Sequence, residues 1–465
     1  MKYEVVSSTG SDRLILFFAG WGMDSAPFAG LNRAGYDVAV VWDYRTTAID
    51  WSFTAGYVEI CIVAWSFGVY ASAISTHAID GKVTRRIAVN GTLYPCDRLL
   101  GIPPAIFEGT HSGLSERNMA KFYRRMCGSG AAYSQFCERA PQRDIDGLRD
   151  ELETFFPDNT LLHQPCGTYD LAIVGREDAI IPAVNQSRAW SRIPTVYTEE
   201  AHWLDFQQVI DHFIVDKQRV GERFTCGLKS YAAEAGVQAA VVEDIDRMLG
   251  AHGIEDCMAT RGCRVLEIGS GTGSLSRILD RDITDGYLEM WDLAGEACIE
   301  GENRCFRQVD AEVEIAGVPS SSFDVIATAS TIQWFNSPGR FLRQCLRCLR
   351  PGGYLVVSSF LAGNLAEVSA VTRRSLPLMT MSQWRMIIPE GFEIVELANR
   401  DAMVDFDTPL DVFRHLKATG VNALGRGSEG ESSLHSIIKR YQAALDGRYH
   451  ITYRPFVMIL KKTFR

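Results

Sequence analysis

No stretch of the sequence reaches the ~18 consecutive apolar residues needed to span a bilayer, and Met1 to Gly10 has no basic segment leading into an apolar one. A helical membrane protein and a secretion leader are therefore not expected, and the expected address is the cytoplasm. Basic residues are outnumbered, with 47 Lys and Arg against 57 Asp and Glu, for a net charge of -10. Nucleic acid is a poor main partner for such a chain, because phosphate backbones are held by basic surfaces. Repeats, low-complexity tracts and Gly/Ser- or Pro-rich linkers are also missing, so any domain boundary has to be read from pattern. The 12 cysteines are scattered, which favours reduced, half-buried thiols over a disulfide framework. Cys345 and Cys348 form the one tight pair, in FLRQCLRCLRPGG, on one face of an expected helix. No second CxxC completes a ligand set, so no metal site is expected.

What is present is a globular composition, 46% hydrophobic and 22% charged, over 465 residues, enough for two cores. In the first half, strand-like runs at 13–19, 38–42, 58–64, 86–90, 169–174 and 195–198 alternate with helical ones, which predicts a parallel sheet with crossover helices. Residues from about 103 to 165 interrupt that series with a helical pattern and are expected to form a cap. An amphipathic helix near 231–249 precedes a second series, with strands at 264–268, 287–291, 323–327 and 354–360 and extended runs at 392–397 and 454–461. The joint is placed near 216–221, giving domains 1–217 and 222–465. The expected fold class is α/β throughout, each half built on an open and largely parallel sheet, with a helical cap interrupting the first.

In YVEICIVAWSFGVYASAIS an apolar strand runs into Ala64-Trp65-Ser66-Phe67-Gly68 and then a helix of small residues. This has the form of a nucleophile elbow, with Ala64 in place of the usual first glycine. A serine hydroxyl is a weak nucleophile near neutral pH and needs a base. Asp178 ends the run LAIVGRED, and His202 follows the next strand in TVYTEEAHWLDF, which gives the order Ser, Asp, His. His202 is expected to accept the proton while Asp178 holds the imidazole; His77, His111, His163 and His212 lack this placement. Gly20-Trp21-Gly22 follows the first strand, so the backbone N–H groups of Trp21 and Phe67 are the candidate oxyanion hole.

The second half carries Val265-Leu266-Glu267-Ile268 into Gly269-Ser270-Gly271-Thr272-Gly273 and a helix. The glycine spacing and the preceding Glu267 favour adenosylmethionine over a dinucleotide, although an NAD site shares the loop and the acid after the next strand. Asp292, with Leu293 beside it, closes the next strand about 20 residues on, where a carboxylate accepts from ribose hydroxyls. Asp310 and Ala311, in FRQVDAE, sit where a third strand should end, and Asp310 is the candidate acceptor for the adenine amine. Gln333 and Trp334 are expected to line the pocket.

With these motifs in place, the chain resembles two known families over nearly its whole length. The C-terminal half looks like the BioC family of malonyl-acyl-carrier-protein O-methyltransferases, in EIGSGTGSLS, STIQWF, LRPGGYLVVSSF and a leading helix with Tyr231 and Gln238. The N-terminal half is similar to the BioG family of pimeloyl-carrier-protein methyl ester esterases, in FFAGWGMD, AWSFGVYA and GREDAIIPAVNQSRAW. The resemblance implies Ser66, Asp178 and His202 as the triad, Tyr231 near S-adenosylmethionine, and an acyl carrier protein as partner. Carrier proteins are acidic, so docking is expected on Arg117, Lys121, Arg124 and Arg125 in the cap and on Arg340, Arg343 and Arg347 beside the methyltransferase. A malonyl carboxylate is already ionised near neutral pH and needs no general base to accept a methyl group. The esterase would have to reject the short malonyl ester. The four extra methylenes of a pimeloyl chain offer roughly 3 kcal/mol, about two hundredfold. Two other readings stay open: a methyltransferase for another small carboxylate fused to an unrelated esterase, and a hydrolase-like module that only binds the carrier.

Overall fold

The computed structural model describes residues 1–156, 168–372, 376–419, 438, 440, 441 and 448–464, with the side chains of 226–234 also outside the described set. The chain divides into two compact units, Met1–Ile214 and Val215–Arg465, each a mixed α/β structure. None of the described helices is long and apolar enough to cross a membrane.

The first unit holds β1 (Lys2–Ser7), β2 (Arg13–Phe18), β3 (Asp37–Trp42), β4 (Glu59–Trp65), β5 (Val83–Val89), β6 (Leu171–Gly175) and β7 (Thr195–Thr198). They form one sheet in the order β1-β3-β2-β4-β5-β6-β7, parallel from β3 to β7, with β1 antiparallel at the edge. The pattern of the sequence missed β1 because this edge strand is largely exposed and carries no buried apolar alternation.

The expected crossover helices are only partly there. A short 3-10 turn, Ala26–Phe28, is the sole helical element between β2 and β3, and Trp51–Thr54 the sole one between β3 and β4. Aromatic side chains supply the burial that helices would have given. Phe28 is buried against Phe17, Trp65, Trp203 and Phe206, and Trp51 packs on Phe18 and Phe53.

Four helices, Pro104–Ser112, Glu116–Cys127, Gly130–Cys137 and Ile145–Glu153, stand between β5 and β6, where the sequence predicts an interruption; 157–165, including His163, lie outside the described residues. Polar ties fasten this layer to the loops after β2 and β3. Trp21 Nε1 donates to the Leu148 carbonyl at 2.9 Å, and Arg143 donates to the Met23 carbonyl at 2.9 Å and to the Glu151 carboxylate at 3.1 Å. The fully buried Glu151 also accepts from the Tyr44 N–H at 2.8 Å.

The second unit opens with two helices, Lys217–Glu234 and Gly236–Ala251, where the sequence suggests one, because the backbone at Ala235 leaves the helical region. Its strands are β8 (Arg264–Ile268), β9 (Tyr287–Asp292), β10 (Arg304–Gln308), β11 (Phe323–Thr328), β12 (Leu349–Phe360), β13 (Phe392–Asn399), β14 (Ala402–Phe406), β15 (Tyr449–Tyr453) and β16 (Pro455–Lys462). The main sheet runs β10-β9-β8-β11-β12-β16-β13, with β16 antiparallel to both neighbours. The five parallel strands reverse their order between β8 and β11, a Rossmann-like switch point that opens a crevice at the strand C-termini. β14 and β15 pair separately, and helices Ala366–Thr372 and Pro409–Ala418 pack with them in a small core of their own around Val368, Val412 and Tyr453. Cys345 and Cys348 are both buried on the helix Pro338–Cys348, where burial raises their thiol pKa values.

Candidate active sites

In the first unit the β4 strand is buried along its whole length and ends at Trp65. The chain then turns at Ser66 with φ 58° and ψ -125°, a left-handed conformation that is costly for a non-glycine residue, before entering the helix Phe67–Ser75. Neighbouring glycines make the turn possible. A Cβ on Gly68 would lie 2.5 Å from the Phe18 carbonyl oxygen, and one on Gly91 would lie 2.3 Å from that of Ser66.

The turn aims Ser66 Oγ at His202 Nε2, 3.0 Å away, and His202 Nδ1 lies 2.8 Å from Asp178 Oδ2. All three side chains are at least nine-tenths buried. Asp178 is fully occupied: Oδ1 accepts from the N–H groups of Ile180 at 2.8 Å and Ile181 at 3.0 Å, and Oδ2 accepts from Gln186 Nε2 at 2.8 Å. Trp65 Nε1 and Asn90 Nδ2 both donate to the His202 carbonyl, at 2.9 and 3.0 Å, while Asn90 Oδ1 accepts from the Gly175 N–H at 2.7 Å. Gln186 and Asn90 thus hold the acid and the histidine loop. Sequence reasoning missed both: Gln186 sits on an ordinary short helix, and only the VNG turn after β5 marks Asn90.

Trp21, Phe67, Ser66 and His202 wall an apolar cavity with Ile102, Ile106, Phe107, Phe122, Met126, Leu152 and Ile180. Among the described residues the competing histidines are elsewhere: His77 is exposed, His111 meets Glu153, and burial lowers the pKa of His212. Arg117, Lys121, Arg124 and Arg125 are exposed on the helix Glu116–Cys127, with Arg124 stacked over Tyr133 at 5.0 Å and Arg125 reaching the cavity rim.

In the second unit a cavity of about 280 Å³ lies at the switch point. Its wall includes Glu267, Gly269, Gly271, Asp292, Leu293, Asp310, Ala311 and Trp334, together with Lys217 and Phe335. Gly269 and Gly271 both have positive φ, at 76° and 50°, so the loop turns without side chains in the way. Glu267 is buried with Oε2 unpaired, and Ser270 Oγ beside it is also unpaired. Burial, then the nearby Asp292 charge, pushes the Glu267 carboxyl up to about 7 against the pull of hydrogen bonds from Ser276. Burial likewise raises Asp292, whose Oδ2 accepts from the Gly271 N–H at 2.8 Å and Oδ1 from that of Ala294 at 2.9 Å. A buried acid, a half-buried one and a buried hydroxyl in a glycine-lined cavity fit a ligand with an ammonium and a ribose; they are a poor match for a phosphate chain.

Several expected residues fall elsewhere. Gly273, with φ 79°, starts the helix Ser274–Asp282 behind the loop, where its backbone packs on Cys298, and does not line the cavity. Gln333 also lies off the wall: its amide donates to the Ser330 carbonyl and accepts from Ser359 Oγ at 3.1 Å, clasping the loop after β11 to β12. Arg347 is no docking cation, because its guanidinium donates to the carbonyls of Val318, Ile315 and Ala316 and so ties its helix to the preceding turn. Arg343 is exposed on the same helix and Arg340 half-buried. Asp310 Oδ1 already accepts from Lys217 Nζ at 3.0 Å. The Tyr231 side chain lies outside the described residues.

The two geometries define a class: an α/β chain with a serine–histidine–aspartate triad in one unit and a glycine-loop ligand cradle in the other. Residues 1–214 match the family model described as pimeloyl-ACP methyl esterase BioG, and residues 266–357 match a methyltransferase domain. A malonyl-[acyl-carrier protein] O-methyltransferase of Bacteroides fragilis is 32% identical over 462 residues, covering 96% of this chain and 92% of that protein. One from Haemophilus influenzae is 31% identical over 265 residues, covering 53% of this chain and 95% of that protein. The crystal structure of BioG from Haemophilus influenzae is 31% identical, with a TM-score of 0.40, over 44% of this chain and 94% of that one. The chain belongs to the malonyl-[acyl-carrier protein] O-methyltransferase family, in a form that carries a BioG unit ahead of the methyltransferase.

Proposed function

We propose that this chain is a bifunctional, cytoplasmic enzyme of biotin synthesis that methylates the free carboxylate of malonyl-carrier protein and hydrolyses the methyl ester of pimeloyl-carrier protein. Residues 1–217 act as the esterase, an α/β-hydrolase whose helical cap covers the triad, and 222–465 as the methyltransferase. The observation that carries the reading is the coexistence of a hydrogen-bonded triad and a glycine-loop cavity in one chain related end to end to a malonyl-carrier-protein methyltransferase.

In the esterase, Ser66 Oγ attacks the ester carbonyl as His202 Nε2 takes its proton, and the N–H groups of Trp21 and Phe67 receive the oxyanion. The C–O bond to methanol breaks as His202 returns the proton to the leaving oxygen. Water, deprotonated by His202, then attacks the acyl-enzyme; as the acyl C–Oγ bond breaks, His202 returns that proton to Ser66 Oγ, and the freed acid ionises to the carboxylate. Methylene burial against Ile102, Ile106, Phe107 and Phe122 favours the longer acyl chain.

In the methyltransferase, S-adenosylmethionine supplies a sulfonium methyl group when bound. Glu267 would meet its ammonium, Asp292 and Leu293 the ribose, and Asp310 and Ala311 the adenine, with Trp334 in the wall and Gly269 and Gly271 allowing close backbone approach. The acceptor is an ionised carboxylate, so the protein supplies alignment and exclusion of water, with no base required. Arg117, Lys121, Arg124 and Arg125 on the cap, and Arg340 and Arg343 on the second unit, are the docking candidates for the acidic carrier.

Complementation tests the whole reading. The intact chain should rescue hosts lacking either the methylating or the demethylating step, Ser66→Ala only the first and Asp292→Ala only the second. Failure of the intact chain in both hosts would reject the assignment, whereas rescue by Ser66→Ala of a host without an esterase would reject the triad.

A further inference from the structure

Lys217 begins the helix Lys217–Glu234 and is 3% exposed, yet it lies in the wall of the ligand cavity. Its ammonium stands 3.0 Å from Asp310 Oδ1 and 3.0 Å from Glu312 Oε2, and 4.8 Å from the centroid of the Phe335 ring. Both acids have other work. Asp310 Oδ1 also accepts from the Glu312 N–H at 3.1 Å and so caps the helix Ala311–Glu314. Glu312 accepts from the N–H groups of Asn336, at 2.8 Å, and Ser337, fixing the turn just after Trp334 and Phe335 in the cavity wall. One ammonium therefore serves two carboxylates out of water. Without it, two desolvated acids close together could not both stay ionised, and one would take up a proton.

We propose that Lys217 is a positioning residue for nucleobase selection: it keeps Asp310 ionised and rotated so that its carboxylate accepts from the exocyclic amine of adenine. The inference rests on the assignment of Asp310 to adenine made above. An ionised carboxylate can only accept, so it welcomes a 6-amino purine and repels a 6-oxo one. A protonated Asp310 gains an O–H that donates to a 6-oxo group, and the discrimination collapses. A lysine that only tied the helix down would affect both purines alike.

The test is calorimetric titration of the full chain with S-adenosylhomocysteine and S-inosylhomocysteine, with thermal unfolding recorded for each variant. Wild type should prefer the adenine compound by about a hundredfold or more. Lys217→Met should lose about ten- to a hundredfold in affinity for it while holding or gaining affinity for the hypoxanthine compound. Lys217→Arg, which keeps the charge, should retain most of the wild-type ratio. If Lys217→Met does not fold, Lys217→Gln, with N–H donors and no charge, should show the same collapse. Equal weakening of both ligands, or an unchanged ratio, overturns the positioning role while leaving the cofactor reading intact. Wild type that binds neither ligand overturns the cofactor reading and this inference with it.

Discussion

Glu267 should trade stability for ligand binding, and Glu267→Gln separates the two. Its carboxyl is raised from 4.5 to about 7, first by burial and then by the Asp292 charge. For an acid, a raised value means that the folded chain holds the proton more tightly than the unfolded chain. Below about pH 4.5 both states are protonated and nothing is lost. Between pH 4.5 and 7 the unfolded chain ionises first, and stability falls as pH rises. Above about 7 the full cost stands, at most about 3 kcal/mol. Gln does not titrate, so Glu267→Gln should match wild type near pH 4.5 and exceed it at pH 8 by up to that amount. For a unit of this size the difference is about 6–12 °C in the melting transition, which is recognised as the one that S-adenosylhomocysteine shifts. The same variant should bind S-adenosylhomocysteine about ten- to a hundredfold more weakly, because an ammonium then meets an amide where it had a carboxylate. Thermal unfolding of the full chain from pH 5 to 8, with and without ligand, reads both effects. A variant no more stable than wild type at pH 8, or a gap that does not close toward pH 5, would refute the argument.

Two further outcomes are expected in the esterase. Gln186→Met keeps the side-chain volume but removes the donors to Asp178 Oδ2 and the Ile181 carbonyl, both within 2.9 Å; kcat for a methyl ester should fall about tenfold or more while KM changes little, and an unchanged kcat would show that Asp178 needs no such anchor. Arg117→Glu with Lys121→Glu reverses charge on the exposed face of the cap helix and should raise KM for the carrier-linked ester several-fold, with an effect that fades as salt rises; a salt-independent change would point away from electrostatic docking.

The parts of the molecule most legible in the sequence are those where one local pattern does one job. The β4 run and the small residues after Ser66 have to be buried and to turn sharply, and Glu267 to Gly271 has to bring backbone to a ligand. Both leave short signatures. The supporting groups act across long sequence separations and carry no such mark. Asn90 reaches His202, and Lys217 reaches Asp310, from elements whose local composition is ordinary. The errors have the same origin. Arg347 reads as one cation in a basic helix, yet three carbonyls converge on it from a turn about thirty residues earlier. Gln333 adjoins Trp334, which does face the cavity, but one residue of rotation directs its amide to Ser330 and Ser359. The short 3-10 turns that replace crossover helices could be anticipated only by knowing that Phe28 and Trp51 would find aromatic partners.

The two sites differ in where their polar groups are satisfied, and the difference follows from what each must do. In the esterase the reacting groups belong to the protein, so Asp178 can be saturated in advance by Ile180, Ile181, Gln186 and His202, and the triad is aligned before substrate arrives. The cost of ordering these groups is met in folding and does not recur at each turnover. In the cradle the bound molecule brings the reactive group, and the protein keeps polar capacity in reserve. Glu267 Oε2 and Ser270 Oγ are buried with no partner from the protein, and the ammonium and hydroxyls of a bound ligand would offset the cost of burying them. A ligand that removes such a penalty stabilises the fold by the same free energy that it gains in affinity. The second unit should therefore melt at a higher temperature as S-adenosylhomocysteine is added, by an amount that follows its concentration relative to Kd; a melting transition that saturating ligand leaves unmoved would refute this account.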